Sequence, residues 1–297
     1  MVKFALPLPN WPAPLRVQAP DGLTLAAERW PGRGASVVLA HGFGQTRQSW
    51  QRTAERLSEH GYDALGFDAR GHGESERNAA DQRYQPSQLI DDLQAVAAQA
   101  NAPRVLVGAS MGGLVGLLAQ AASRPFAAMV LVDITPRWEA SGFQRILGFM
   151  RAHPDGFADH DEAADAISAH LPHRSGRKRP EQLASLLVAR ADGRLLWHWD
   201  PRLLDDLPAQ SESLQDLLVE VVPQIRVPLL LVSGGRSDLV SEHTVREFLT
   251  LAPHAAHVAI PKATHMVAGD DNTAFTTAIL RFLDSPAVQT ALSGEHP

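Results

Sequence analysis

The 297-residue chain contains no cysteine. Disulfides, thiolate nucleophiles and cysteine-ligated metals are therefore excluded. Aromatic residues make up only 6% of the chain, and just two of them are tyrosines, Tyr62 and Tyr84. No apolar run approaches the ~18 residues that a membrane-spanning helix requires, so no membrane partner is expected. A basic excess is also missing. The net charge is −6, whereas neutralising nucleic-acid phosphates needs a basic face. The opening stretch MVKFALPLPNWPAPL is broken by Pro7, Pro9, Pro12 and Pro14. A signal peptide needs an unbroken apolar segment there, so a cytoplasmic location is the expectation.

What remains is an ordinary globular composition, 44% hydrophobic and 20% charged, at a length that suits one large α/β unit or a core with an insertion. LRVQAP and LTLAAERW alternate apolar and polar residues around Asp21-Gly22, which predicts a hairpin. SVVLA, YDALGFD, RVLVG and AAMVLVD read as buried strands. They alternate with the helical patterns SWQRTAERLSEHG, SQLIDDLQAVAAQA (capped by Ser87) and MGGLVGLLAQAAS. The rhythm resumes with VPLLLVSGG, SEHTVREFLTLA, HVAI and NTAFTTAILRFL. Buried strands alternating with helices predict a mostly parallel, doubly wound sheet. From Thr135 to Pro223 the pattern is helical or irregular, with no clear strand. We read residues 1–134 and 224–297 as the core, and 135–223 as an inserted helical cap over one edge of the sheet.

Gly108-Ala109-Ser110-Met111-Gly112 fits G-x-S-x-G between a strand and a helix, the setting of a strained turn that presents a serine hydroxyl. The glycines alone would also suit tight helix–strand packing. A hydroxyl is a weak nucleophile and needs a base with an acid to orient it. In an open sheet both are expected on loops at the carboxyl ends of later strands. Asp238 follows the strand in LLLVSGGRSD, and His265 follows HVAI. The interval between them fits one helix and one strand. Position singles out His265 among thirteen histidines. Asp133, which ends VLVD, is the rival acid. His243 and His254 read as solvated, and Asp270 and Asp271 as caps of the final helix. Acyl transfer also needs N–H donors for an oxyanion. The loop His41-Gly42-Phe43-Gly44 nominates the Phe43 amide, and the residue after the serine nominates that of Met111. His41 lies too early in the chain to be the base and is expected to pin its loop. Asp68, Arg70 and His72 in FDARGHGES read as bracing, without the ligand spacing of a metal site.

The motifs HGFG, RGHGES, GASMGG, GRSD and ATH, in this order, resemble the α/β-hydrolase superfamily across residues 15–135 and 224–284. Within it, GRSDLV and HMVAGDDN resemble the branch of non-haem haloperoxidases, epoxide hydrolases and small-molecule esterases. The resemblance implies an α/β-hydrolase fold with Ser110 as nucleophile, His265 as base, Asp238 as orienting acid and the Phe43 and Met111 amides as oxyanion hole, with no cofactor and no metal. Epoxide hydrolases and haloalkane dehalogenases of this fold use an aspartate nucleophile, where this chain has Ser110. Epoxide hydrolases also use cap tyrosines, but Tyr62 and Tyr84 fall outside the expected cap.

The expected reaction is hydrolysis of a small-molecule carboxylic ester or lactone through an acyl-enzyme. Carbon–carbon bond hydrolysis and perhydrolysis use the same triad, while acyl transfer to an alcohol or a ligand-receptor role are further alternatives. Phe43, Trp138, Trp197 and Trp199 are the expected pocket residues, with cap-to-core packing the competing reading for the tryptophans. The basic stretch HRSGRKRP (173–180) reads as a solvated loop that could also attract an anion. The expected partner is a small-molecule substrate, with a homodimer allowed.

Overall fold

The computed structural model describes residues 12–170, 183, 186–270 and 272–294. The hairpin forms as expected. β1 (Ala13–Gln18) and β2 (Thr24–Trp30) pair antiparallel, and Gly22 takes the positive φ of 89° that the turn demands. Four strands follow: β3 (Ser36–Ala40), β4 (Asp63–Phe67), β5 (Arg104–Ala109) and β6 (Ala128–Val132). Every residue of β3, β4 and β6 is buried. Strands covered on both faces are near-continuously apolar, which is the signature of a parallel sheet; the polar first residues of β3 and β4, Ser36 and Asp63, bond each other at 3.1 Å. β7 (Leu187–Ala189) and β8 (Leu195–Trp197) form a separate antiparallel pair. β9 (Leu229–Gly234) and β10 (Ala256–Ile260) complete the main sheet, whose order is β1-β2-β4-β3-β5-β6-β9-β10. From β4 onward all its pairings are parallel.

The helices are α1 (Gln51–Glu59), α2 (Pro86–Ala98), α3 (Met111–Ser123), α4 (Ala140–Arg151), α5 (His160–His170), α6 (Leu203–Asp206), α7 (Ser211–Val221), α8 (Glu242–Leu251), α9 (Val267–Asp270), α10 (Asn272–Leu283) and α11 (Pro286–Ser293). They cover both faces of the sheet. Leu93, Leu117 and Phe248 seal one face, from α2, α3 and α8. Leu57, Phe275 and Ile279 seal the other, from α1 and α10. Ser87 does not cap α2. The helix already begins at Pro86, whose fixed φ and missing N–H suit a first helical position, and Gln88 Oε1 accepts the Gln85 N–H at 3.0 Å.

Between β6 and β9 the chain departs from the sheet through α4 to α7. The strand pair β7–β8 corrects the expectation that this region holds no strand. Each member is three residues long, too short for alternation to register. The pair packs with α5 in a small core of Phe157, Ala163, Ile167, Leu187 and Leu195. The basic stretch 173–180 lies outside the described residues. No helix among the described residues is long and apolar enough to cross a membrane.

Candidate active site

Ser110 sits where β5 turns into α3. Its backbone has φ 45° and ψ −113°, a region that non-glycine residues rarely occupy and that costs about 1–3 kcal/mol. The surroundings enforce the turn. The Ser110 N–H donates to Val132 O at 3.0 Å, and the Gly113 and Leu114 amides donate back to Ser110 O. A Cβ at Gly112 would lie 2.4 Å from Ala40 O, so only glycine lets α3 start this close to β3.

His265 follows β10 and its side chain is 16% exposed. The Asp270 carboxylate holds its loop, with Oδ2 accepting from Thr264 N at 2.9 Å and Thr264 Oγ at 2.5 Å. Asp270 thus braces the histidine loop; Asp271 lies outside the described residues.

The acid beside His265 is Asp133, which corrects the assignment to Asp238. His265 Nδ1–H donates to Asp133 Oδ2 at 2.7 Å. Asp133 is fully buried and, like Ser110, has a positive φ, 49°. Its carboxylate also accepts from Gly234 N on Oδ1 at 2.7 Å and from Ser237 Oγ on Oδ2 at 2.5 Å. A carboxylate here can only accept, so the imidazole proton sits on Nδ1 and the lone pair on Nε2. Asp238 lines the same cavity as Ser110 and His265, but its carboxylate pairs with Arg145 Nη1 at 2.9 Å and not with His265; the side-chain exposures are 31% and 56%. The reason lies in the turn. Leu239 O accepts from Glu139 N at 3.0 Å and Ser241 Oγ donates to Glu139 Oε1 at 2.5 Å, so the turn is fastened to the start of α4. Ser237 then meets Asp133, and its neighbour Asp238 meets Arg145 of α4.

Ser237 was missed in the sequence. A serine three residues beyond a buried strand is a weak signal, yet its hydroxyl donates to Asp133 while accepting from Leu239 N and Val240 N at 3.1 Å each. A signal for Asp133 existed: a carboxylate that ends the wholly buried run AMVLV is costly unless several donors meet it.

Among the described residues, neither the Phe43 nor the Met111 N–H donates to a protein acceptor. The carbonyl of the Gly42–Phe43 peptide is held by His41 Nδ1–H at 2.8 Å and by Gln45 N–H at 3.1 Å. His41 Nε2 accepts from Ala69 N at 2.9 Å. Burial lowers the pKa of His41 below the ordinary histidine value, so its ring is a neutral pin for the loop. Asp68 and Arg70 are braces as well. Asp68 binds the backbone N–H of Arg47 at 2.7 Å, and Arg70 forms a two-pronged pair with Asp92 at 2.7 Å for each bond. His243 is exposed, and so is His254.

Ser110, Phe43, Met111 and His265 all line one cavity of about 250 Å³. Most of its wall is apolar. Leu114, Leu118 and Ile134 come from the core, while Phe143, Leu147, Trp197 and Leu204 come from the insertion. Trp138 and Trp197 reach the wall, but Trp199 does not. Trp199 lies behind Phe43, with ring centroids 5.3 Å apart. No lysine or arginine is among the described lining residues.

A family model described as alpha/beta hydrolase fold matches residues 35–271. The chain belongs to this α/β-hydrolase family. It is 30% identical over 267 residues to the 3-hydroxybutyrate-oligomer hydrolase of Cupriavidus necator, covering 83% of this chain and 89% of that protein. It is 28% identical over 286 residues to an esterase of Mycobacterium tuberculosis, covering 93% and 91%. A crystal structure of E-2-(acetamidomethylene)succinate hydrolase superposes on this α/β-hydrolase with a TM-score of 0.80 at 22% identity, over 93% of this chain and all of that one.

Proposed function

We propose that this α/β-hydrolase is a serine esterase that cleaves uncharged small-molecule esters or lactones with an apolar acyl or alkyl group. The observation that carries the reading is the 2.7 Å His265–Asp133 hydrogen bond beside an apolar cavity that Ser110 also lines. Ser110 Oγ attacks the ester carbonyl while His265 Nε2 takes its proton. The carbonyl oxygen becomes an oxyanion against the Phe43 and Met111 amides. The ester C–O bond then breaks, and the leaving alkoxide takes the proton from His265. A water molecule, deprotonated by His265, attacks the acyl-enzyme; the acyl–Oγ bond breaks and His265 returns the proton to Ser110 Oγ, which releases the acid and free Ser110. The Asp133 carboxylate holds the imidazole orientation and stabilises the imidazolium.

The apolar wall without described lysine or arginine favours neutral groups, since a buried carboxylate without a partner is strongly disfavoured. Two relatives named for ester or oligomer hydrolysis support the same chemistry. In this reading residues 135–223 form the cap, because they supply much of the apolar wall.

A panel of p-nitrophenyl esters of increasing acyl length, together with a fluorophosphonate probe, tests the proposal. The expected result is hydrolysis that favours medium-length neutral acyl groups over succinyl analogues, with labelling confined to Ser110 and abolished in Ser110→Ala. Labelling of Ser110 without turnover of any ester would transfer the triad to carbon–carbon or peracid chemistry. No labelling at all would refute a serine nucleophile.

A further inference from the structure

Three buried histidines surround the loop that carries the Phe43 amide, and only His41 belongs to that loop. His72 follows β4, and its Nε2 accepts from Gly44 N–H at 3.3 Å while its Nδ1–H donates to Arg70 O at 3.2 Å. His198 belongs to the insertion, just after β8. Its Nδ1 accepts from Gly73 N–H at 2.8 Å, so the ring proton sits on Nε2 and donates to Gly44 O at 3.2 Å. Three consecutive peptides are thus each held by a different imidazole. His41 holds the Gly42 carbonyl, His72 the Gly44 N–H and His198 the Gly44 carbonyl. Gly44 has φ +73°, and a Cβ there would lie 2.7 Å from the Met150 side chain, so the peptides on either side of it depend on His72 and His198 for their anchoring. The Phe43 ring packs against His72, with centroids 5.3 Å apart, and the His72 and His198 rings are 5.9 Å apart.

We propose that His198 is a positioning residue that ties the insertion to the oxyanion loop: by fixing the Gly44 carbonyl opposite His72, it aims the Phe43 amide at the carbonyl oxygen of the substrate. This rests on the esterase reading above. His198 touches no reacting atom and does not line the cavity. Its effect is therefore on stabilisation of the oxyanion, which exists only in the transition state, and not on substrate binding. The insertion thereby does more than supply apolar wall. Its docking and the completion of the oxyanion hole are one structural event.

The two ring nitrogens of His198 have separate tasks, and single variants separate them. The terminal amide of glutamine reaches as far as Nε2 and can donate to Gly44 O. That of asparagine reaches only as far as Nδ1 and retains the acceptor for Gly73 N–H. The assay is steady-state hydrolysis of the best p-nitrophenyl ester, normalised to sites titrated with fluorophosphonate. Affinity for a trifluoromethyl ketone carrying the same acyl group is measured alongside.

The expected result for His198→Asn is a kcat about ten- to hundredfold lower, with KM within twofold and ketone affinity falling in step with kcat/KM. His198→Gln recovers most of kcat. A bond that merely stabilises the fold gives the opposite order, because Asn keeps the shorter 2.8 Å contact. Should His198→Asn fail to fold, the same pair at His72 tests the clamp, since only Gln offers an acceptor at the ε position to Gly44 N–H. Equal kcat for the Asn and Gln variants at both positions, in a wild-type enzyme that turns over esters, overturns the inference alone. A wild type that neither hydrolyses esters nor takes the probe overturns the esterase reading and this inference with it.

Discussion

Replacing Asp133 by asparagine tests the assignment of the acid. Asp133 accepts three hydrogen bonds in a fully buried site, from His265 Nδ1, Ser237 Oγ and Gly234 N. An amide offers one oxygen and one NH2 where all three neighbours donate. If its oxygen stays with Gly234, the NH2 faces His265 and Ser237, and the imidazole moves its proton to Nε2. The lone pair that must accept the Ser110 proton is then lost. A change of tautomer of this kind lowers kcat by about 10⁴-fold, or close to 5.5 kcal/mol at about 1.36 kcal/mol per decade. Leaving buried donors unmatched costs a further ~1–3 kcal/mol of stability, which a urea titration reads. Asp238→Asn is the control. It removes only a half-exposed contact with Arg145, worth about 0–1 kcal/mol, and kcat should stay within a few-fold of wild type. The assay is kcat for a p-nitrophenyl ester in both variants, normalised to labelled sites. A collapse of kcat in Asp238→Asn with near-normal turnover in Asp133→Asn would refute the assignment.

Gly112→Ala should leave little soluble, folded protein or lower its stability by more than about 3 kcal/mol, since the added Cβ meets the Ala40 backbone and cannot be relieved by a side-chain shift; a melting temperature within 2–3 °C of wild type, roughly 1 kcal/mol or less, would contradict it. Asp92→Ala should cost about 3–5 kcal/mol by urea denaturation, because Arg70 would stay buried and charged without its main partner; a loss below about 1 kcal/mol, the range of an exposed pair, would show that Arg70 finds water instead. Acid should destabilise the fold before its carboxylates are protonated. Burial lowers the pKa of His41, His72 and His198, the last to about 4, with Asp68, Arg47 and Arg77 the charged groups nearest this cluster. The unfolded chain therefore binds protons that the folded chain refuses once the pH falls below about 6.5. The stability that these neutral rings contribute is complete above that pH and declines below it. For His198 alone the loss reaches about 3 kcal/mol by its folded value. Urea midpoints that stay constant from pH 6.5 to 4.5 would refute this.

The sequence by itself determined the layers of the fold and pointed to Ser110 and His265, which the structure places on one cavity. Runs such as VVLA and AMVLV are apolar at every position, so they must lie inside a sheet covered on both faces. Ser110 is marked by neighbours too small to do anything but permit a turn, and His265 by following the last strand. These features are local, and local sterics and hydrophobicity fix them before any long-range contact forms. The choice between Asp133 and Asp238 is not local. Both follow buried strands, and which one faces the imidazole depends on how the 237–241 turn is fastened to α4, about a hundred residues earlier in the chain. The β7–β8 pair escaped notice because three-residue strands take their stability from packing against α5. The roles of Ser237, His72 and His198 arise the same way. A hydroxyl or a neutral imidazole has little preference of its own, and only the folded chain determines which carboxylate or peptide it meets.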